Sequence, residues 1–223
     1  MKFTLSTVAC CCLIPLFILA NSTPDCELDQ SPPLKIQDEM VVQPLIFYTA
    51  APVRIVRPIL HKAVAFSNRV YVNNSIPIRL KITAIKPVTY DSTDSYANLM
   101  YTTTLEHRRA SIVIFVSQLM LSCGRTFLNC KNWSTCGYAV VKLRCLDDYS
   151  LLHELGHLHG ANHNKEYVWP GSNAYPDAYG TVKRGVSKTI MAYGNEPRIP
   201  FFSNSEGEDN RRVIIENRFN FKR

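Results

Sequence analysis

The sequence contains no apolar run long enough to cross a membrane. Its longest run, from Val8 to Leu19, is shorter than the roughly 20 residues that a membrane-spanning helix needs. One lysine precedes this run and the small residues 20–22 follow it, which is the arrangement of a secretory signal peptide. We therefore expect residues 1–22 to be removed, the mature protein to be secreted and extracellular, and no stable membrane insertion.

The sequence also lacks internal repeats, low-complexity tracts and a concentrated basic block. Its formal net charge is +7, but the basic residues are spread along the chain and not concentrated in one block. Proteins that bind nucleic acid usually carry a basic stripe or patch on one face. We therefore predict a solvated basic surface and no nucleic-acid partner.

Length limits the domain organisation. Removing 22 of the 223 residues leaves 201, a size typical of one domain with one core. Residues 23–44 include two consecutive prolines and show no clear periodicity, which predicts an extended leader or short propeptide. Residues 45–223 then form one domain of catalytic size, which we expect to be a monomer.

Hydrophobic periodicity predicts that strands and helices alternate along this domain. The predicted strands are 41–49, 78–82, 112–116 and 137–141, and the predicted helices are 53–72 and 96–109. Such an order favours helices packed on a twisted mixed sheet.

The residues that carry chemistry are concentrated between positions 153 and 163. His153 and His157 are four residues apart, so both imidazoles project from one face of a helix toward a single ion. Gly160 lets the chain leave the helix, and His163 returns as a third ligand. Three nitrogen ligands leave the fourth position of Zn²⁺ open, as in catalytic zinc sites. Glu154, beside the first ligand, is placed to act as general base.

One more histidine, His159, lies within the same stretch. It is six positions after His153 and points to another face of the helix, so we interpret it as a packing or exposed residue and not as a ligand.

This stretch resembles the zinc-binding motif of the metzincin metallopeptidases. Downstream, residues 189–193 resemble the Met-turn of that clan, in which Met191 would lie beneath the zinc ligands. Further segments are similar to the reprolysin-like branch, especially to bacterial peptidyl-Asp metalloendopeptidases. These are residues 47–49, 67–68, 74–76, 123–124, 137–139 and 198–204. The resemblance covers roughly residues 43–215.

The resemblance implies an α+β catalytic domain in which a twisted mixed sheet with long helices lies above an irregular lower subdomain. The active-site cleft would run between the two parts. It also implies a secreted zinc endopeptidase that acts on protein or peptide substrates, and the peptidyl-Asp name suggests cleavage beside acidic residues. The alternative is a zinc-bearing binding or toxin-like module without significant turnover.

Two positions near the motif need separate treatment. Astacins and serralysins carry a tyrosine at the position of Tyr193 that can ligate zinc and stabilise the oxyanion, so Tyr193 either has that catalytic role or packs in the pocket wall. Asn164 stands where reprolysin-like enzymes usually have aspartate. It keeps the hydrogen-bonding shape of aspartate and loses the charge.

Five cysteines follow residue 22. Four lie close together in sequence and predict two disulfides of undetermined connectivity, namely Cys123, Cys130, Cys136 and Cys145. Cys26, in the leader, either pairs with one of these four or remains a thiol. A free thiolate at Cys26 would keep the enzyme latent by occupying the open position of the zinc.

The substrate is expected to bind as an extended strand. We expect it to lie along an edge strand near 137–141 and to present one carbonyl to the zinc.

Overall fold

The computed structural model describes residues 39–105, 111–127, 137–168, 175, 178–203 and 209–221. The signal peptide, most of the leader with Cys26, and the clustered Cys130 and Cys136 lie outside these residues, so what the sequence predicts for them stays a prediction. Among the described helices, none combines the length and apolar character that crossing a bilayer requires.

A five-stranded mixed sheet, in the order β2-β1-β3-β5-β4, forms the centre of the domain. Four strands run parallel, and β4 pairs antiparallel with β5 at one edge. The strands are β1 (Val41–Thr49), β2 (Ile78–Pro87), β3 (Ile112–Ser117), β4 (Gly124–Thr126) and β5 (Tyr138–Lys142). The α+β fold class is therefore confirmed, and β4 is a strand that the sequence pattern missed.

Helices cover both faces of this sheet. The long helix α1 (Val53–Asn73) and the shorter α3 (Ser150–Leu158) share one apolar core, and α2 (Ser95–Leu105) contributes Leu99 to the core on the opposite face. Strand β3, between the two cores, is buried on both faces, as its uninterrupted apolar run predicts.

Proline is accommodated inside α1. The helix begins at Val53, so Pro58 lies in its second turn. There its ring nitrogen cannot donate to the carbonyl of Arg54, and the extensive burial of the helix offsets this missing hydrogen bond.

The described part of the chain after α3 is mostly irregular. It contains a two-stranded hairpin, β6 (Val182–Lys183) and β7 (Ser187–Lys188), and a short helix, α4 (Asn210–Glu216). The side chain of Asp209 caps α4 by accepting a hydrogen bond from the backbone N–H of Arg212. Neither the hairpin nor α4 was predicted, because both are too short to show periodicity.

One disulfide joins the described cysteines. Cys123 and Cys145 are bonded, with their Cα atoms 5.5 Å apart, so the residue before β4 is tied to the segment that precedes α3. This is one of the two disulfides expected among the four clustered cysteines.

Candidate metal and catalytic site

Helix α3 brings the first two predicted ligands together. His153 and His157 lie one turn apart, and their Nε2 atoms are 3.1 Å from each other. The Nε2 atom of His163 lies 3.0 Å from that of His153 and 2.9 Å from that of His157. Three imidazole nitrogens, two from α3 and one from the segment after it, thus converge on one point.

Backbone carbonyls fix the orientation of two of these rings. Nδ1–H of His153 donates to the carbonyl of Ile190 at 3.0 Å, and Nδ1–H of His157 donates to the carbonyl of Ala161 at 2.9 Å. With Nδ1 protonated, the neutral ring presents an unprotonated Nε2. This is the outer-shell arrangement that orients metal-ligating histidines.

Burial keeps the three rings neutral. It is the main cause that lowers the pKa of His157 to about 4 and that of His163 to about 3, and it lowers the pKa of His153 as well. Lone pairs that face each other at about 3 Å without a proton between them repel, and a cation at their centre removes this repulsion. Ligand nitrogens of a tetrahedral zinc ion stand about 3.3 Å apart, so the donor set fits zinc.

The chain reaches His163 through a turn at Gly160. Gly160 has a φ of +90°, a conformation that side chains disfavour, and the chain reverses there. Asn210 of α4 then holds the returning segment, since its side chain accepts from the backbone N–H of Asn162 and donates to the carbonyl of Asn162, both at 2.9 Å. No sequence pattern identifies Asn210, because 48 residues separate it from Asn162.

Met191 lies beneath α3, as the Met-turn resemblance implies. Its side chain is fully buried. A Cβ atom on Gly156, between the two ligands of α3, would be 2.5 Å from the sulfur of Met191, so the turn and the helix are packed without spare room.

Glu154 projects from α3 toward β4. The residue is 4% exposed, and its Oε1 atom lies so close to Gly124 that a side chain at that position would overlap it. No described group makes a hydrogen bond to the buried Oε2 atom. Burial raises the pKa of this carboxyl to about 8, and Arg125 on β4 partly opposes the shift.

Asn164 links the ligand loop to the Met-turn. Its Oδ1 atom accepts from the backbone N–H of Tyr193 at 2.9 Å, and its Nδ2 donates to Glu166 at 3.0 Å. The neutral amide of Asn164 therefore accepts a hydrogen bond from the Met-turn backbone, although it lacks the negative charge of the aspartate usual in reprolysin-like enzymes.

Tyr193 lies against the ligands and is partly exposed. Its ring centroid is 4.0 Å from that of His163, and Tyr167 contacts the same ring edge-on at 5.3 Å. The pKa of Tyr193 is raised, first by burial and then by Glu154. The contacts described for this residue are made by its ring and its backbone.

A cavity of about 200 Å³ opens beside Glu154. Its walls include His153, Tyr193, Gly124 and Arg198. The guanidinium of Arg198 is largely buried. Its Nη2 lies 3.4 Å from the carbonyl of Ala192, and its Nη1 lies 3.7 Å from the exposed carboxylate of Asp148. Its Nε has no described hydrogen-bond partner. Nothing in the sequence singled out Arg198 as a site residue, since its position in the cavity depends on the folded loop.

The edge of the sheet lies one strand away from the place predicted for the substrate. We expected the edge near 137–141, but these residues form β5, which is flanked by β3 and β4 and includes the fully buried Ala139. Strand β4 is the edge strand, and Gly124 at its start contacts Glu154. The prediction failed because β4 has only three residues and no alternating pattern.

Comparison with known families agrees with this geometry. The profile of the metallopeptidase family M12B, reprolysin-like, matches residues 48–215. The chain belongs to this family. M12B reprolysin-like proteins are a group of zinc endopeptidases, and their substrates are proteins. A search of curated proteins found no match.

Two solved structures share the fold of this M12B chain. One, described as a chaperone-substrate complex, has a TM-score of 0.61 and 14% identity, and the match covers 80% of this chain and 34% of the other. The second, metalloproteinase-II from Bacteroides fragilis, has a TM-score of 0.52 and 15% identity. The match covers 86% of this chain and 58% of the other. The M12B chain thus spans about a third and just over half of these two chains.

His159 is buried beneath the site and is not a ligand candidate. Its Nδ1–H donates to the carbonyl of Leu155 at 2.7 Å, and its Nε2 accepts from Gln43 of β1 at 2.8 Å. Of the two interpretations offered by the sequence, packing is correct and exposure is wrong. The pair connects the end of α3 to the central sheet of this M12B domain.

Proposed function

We propose that this M12B chain is a secreted zinc endopeptidase in which Glu154 is the general base. The observation that carries the proposal is the convergence of three imidazole Nε2 atoms within about 3 Å, with Glu154 adjacent to the first of them. His153, His157 and His163 would hold the ion.

The proposed chemistry divides between the metal and the protein. A zinc ion bound by these histidines supplies a Lewis acid and lowers the pKa of water toward neutrality. Glu154 accepts the proton of the attacking water and returns it to the amine that leaves. The apolar surroundings of Glu154 suit this role, because a poorly hydrated carboxylate is a stronger base.

Peptide substrates would add a strand to the outer edge of β4. Within the described residues no strand pairs with this edge. The carbonyl of Cys123 accepts from the backbone N–H of Lys142, so by antiparallel alternation the backbone groups of Gly124 and Thr126 face outward. A substrate strand bonded there presents its carbonyl beside Glu154.

The cavity beside Glu154 would bind the substrate side chain next to the cleaved bond. Arg198 places a positive charge in its wall, with the buried Nε not used in any described hydrogen bond. A carboxylate is the natural partner of a partly desolvated guanidinium. We infer a preference for acidic side chains at this subsite.

For Tyr193 we propose packing on His163, with the hydroxyl not required for turnover. Exchange of Tyr193 for Phe keeps the ring, so the turnover number should change by less than about threefold. Loss on the order of 10²-fold would instead identify the hydroxyl as an oxyanion donor.

The endopeptidase proposal is tested with Glu154→Gln, which keeps the shape and removes the basic oxygen. Hydrolysis of denatured casein should fall by at least about 10²-fold, and zinc content should remain at one per chain. Chelation of wild-type protein should abolish hydrolysis, and added Zn²⁺ should restore it. If the wild type cleaves casein no faster than Glu154→Gln, the chain is a zinc-bearing binding module.

Secretion is a separate proposal that rests on the N-terminal sequence. Expression of the full chain in a eukaryotic secretory host should deliver protein to the medium with a new N-terminus after Ala20 or Ser22. Retention in the cell with Met1 intact would contradict it.

A further inference from the structure

A basic groove lies at the sheet edge opposite the catalytic site. The groove has a volume of about 590 Å³, lies between α1 and β2, and has the basic residues His61, Arg79 and Lys81 among those that line it. Strands β2 and β4 are the two ends of the sheet. Four inter-strand steps of about 4.8 Å place the two edges roughly 19 Å apart. The groove is therefore separate from the cavity beside Glu154.

The segment that builds this groove has no acidic residue. Between Met40 and Tyr90 there is no Asp or Glu, and seven positions are Lys or Arg: 54, 57, 62, 69, 79, 81 and 86. The positive charge of this segment is therefore not neutralised by acidic residues within it.

Three basic residues line the groove, counting His61, and two more basic residues extend it along α1. On α1, Arg54, Arg57 and His61 follow each other at spacings of three and four residues and so share one face of the helix. On β2, Arg79 and Lys81 project from one face of the strand. All five are exposed, and none forms an ion pair with another described residue.

Two other basic residues of α1 lie away from this groove. Lys62 is 3.1 Å from Asp147, and Arg69 lies over the ring of Phe66, 5.8 Å from its centroid. The groove thus concentrates positive charge on one side of α1.

We propose that this groove binds a sulfated polysaccharide. The groove is a channel between a helix and a strand, which suits a narrow polymer better than a nucleic-acid duplex. The nine residues that line it include no Phe, Tyr or Trp, whereas proteins that bind single-stranded nucleic acid stack bases on such aromatic rings. Closely spaced guanidinium and ammonium groups attract a chain of sulfates through charge alone.

The sheet edge also disfavours an added peptide strand at this position. Asn68 of α1 accepts from the backbone N–H of Leu80 at 2.8 Å and donates to the carbonyl of Leu80 at 3.1 Å. Both outward groups of Leu80 are therefore occupied, and an acidic peptide could not use them to pair with β2.

The test measures binding of the full zinc-loaded chain to fluorescently labelled heparin at 0.15 M and 0.5 M salt. The double substitution Arg79→Gln with Lys81→Gln should raise Kd by about tenfold, because it removes two exposed positive charges that would contact sulfate groups. The matched control, Lys183→Gln with Arg184→Gln, removes the same charges from the exposed hairpin and should change Kd less than twofold. Casein hydrolysis should be unchanged in both variants.

Ligand comparison separates the possible partners. Completely desulfated heparin of equal length should not bind measurably. If the groove variant and the control variant lose the same affinity for heparin, the proposal is overturned and binding reflects diffuse attraction to the net charge. Tighter binding of poly-glutamate or of a DNA oligonucleotide than of heparin would overturn it in favour of an acidic polypeptide or a nucleic acid.

Discussion

Asn210 positions a predicted zinc ligand without touching the metal site itself. It is fully buried, and its amide pairs with both backbone groups of Asn162, the residue before His163. The side chain of Asn162 in turn accepts from the backbone N–H of His163 at 2.9 Å. The orientation of His163 therefore depends on α4, which follows it in sequence by more than 40 residues.

Replacing Asn210 with Ala should weaken both stability and metal binding. Two buried backbone groups of Asn162 lose their partners, which costs about 2–4 kcal/mol in the free energy of unfolding. Thermal unfolding and competition with a zinc chelator would measure the two effects. The control is Asn220→Ala, which removes a hydrogen bond to Asn217 in the segment after α4. This variant should leave zinc affinity unchanged. Equal zinc affinity in wild type and Asn210→Ala would contradict the positioning role.

Asp148 is expected to moderate the charge of the cavity. Its carboxylate lies 3.7 Å from Nη1 of Arg198 and is largely exposed. Asp148→Asn keeps the oxygen that accepts from the backbone N–H of Tyr149, so the fold should be preserved. Removing the negative charge should raise kcat/KM about two- to fivefold for a peptide with Asp after the cleaved bond, relative to the same peptide with Asn.

The matched control for this prediction is Asp147→Asn. Asp147 is the preceding residue and pairs with Lys62, away from the cavity. The substitution Asp147→Asn should not alter the ratio of the kcat/KM values of the two peptides. If both variants shift the ratio equally, the effect comes from net charge and not from Arg198.

At the scale of elements, the sequence predicts long or strongly patterned segments and misses short ones. Strand β1 has the predicted bounds, and α1 differs by one residue at its end, because each buries an extended apolar pattern. Strand β4 has three residues and α4 has seven, so tertiary contacts decide their conformation. The assignment of the edge strand failed for this reason.

The disulfide between Cys123 and Cys145 should stabilise β4 at the edge of the cleft. It closes a separation of 22 residues, for which loop-closure entropy gives about 3 kcal/mol. The double substitution Cys123→Ser with Cys145→Ser should lower Tm, and it should raise KM more than it lowers kcat, because Glu154 and two of the three ligands stay on α3. Peptide kinetics below the lowered Tm would measure this split. A Tm loss without any change in KM would mean that the disulfide does not support substrate binding.

For the whole molecule, the sequence predicts the local part of the site and not the parts that the fold assembles. His153, Glu154 and His157 share a helix, so their spacing alone places them together. Arg198 and Asn210 reach the site from loops and helices whose paths no short pattern encodes. The concentration of charge in the basic groove likewise emerges only when α1 packs beside β2.

Metal removal should destabilise the whole domain, because the ion would join α3 to the loop after Gly160. Zinc present at 100 times its Kd adds about 2.7 kcal/mol to the free energy of unfolding, which corresponds to roughly 5–10 °C in Tm for a domain of this size. Differential scanning calorimetry with and without chelator measures the shift. His163→Ala should have a lower Tm that the chelator does not reduce further, whereas His61→Ala, an exposed histidine of α1, should respond like the wild type. A chelator-induced shift that is as large in His163→Ala as in the wild type would mean that the stabilising ion binds elsewhere.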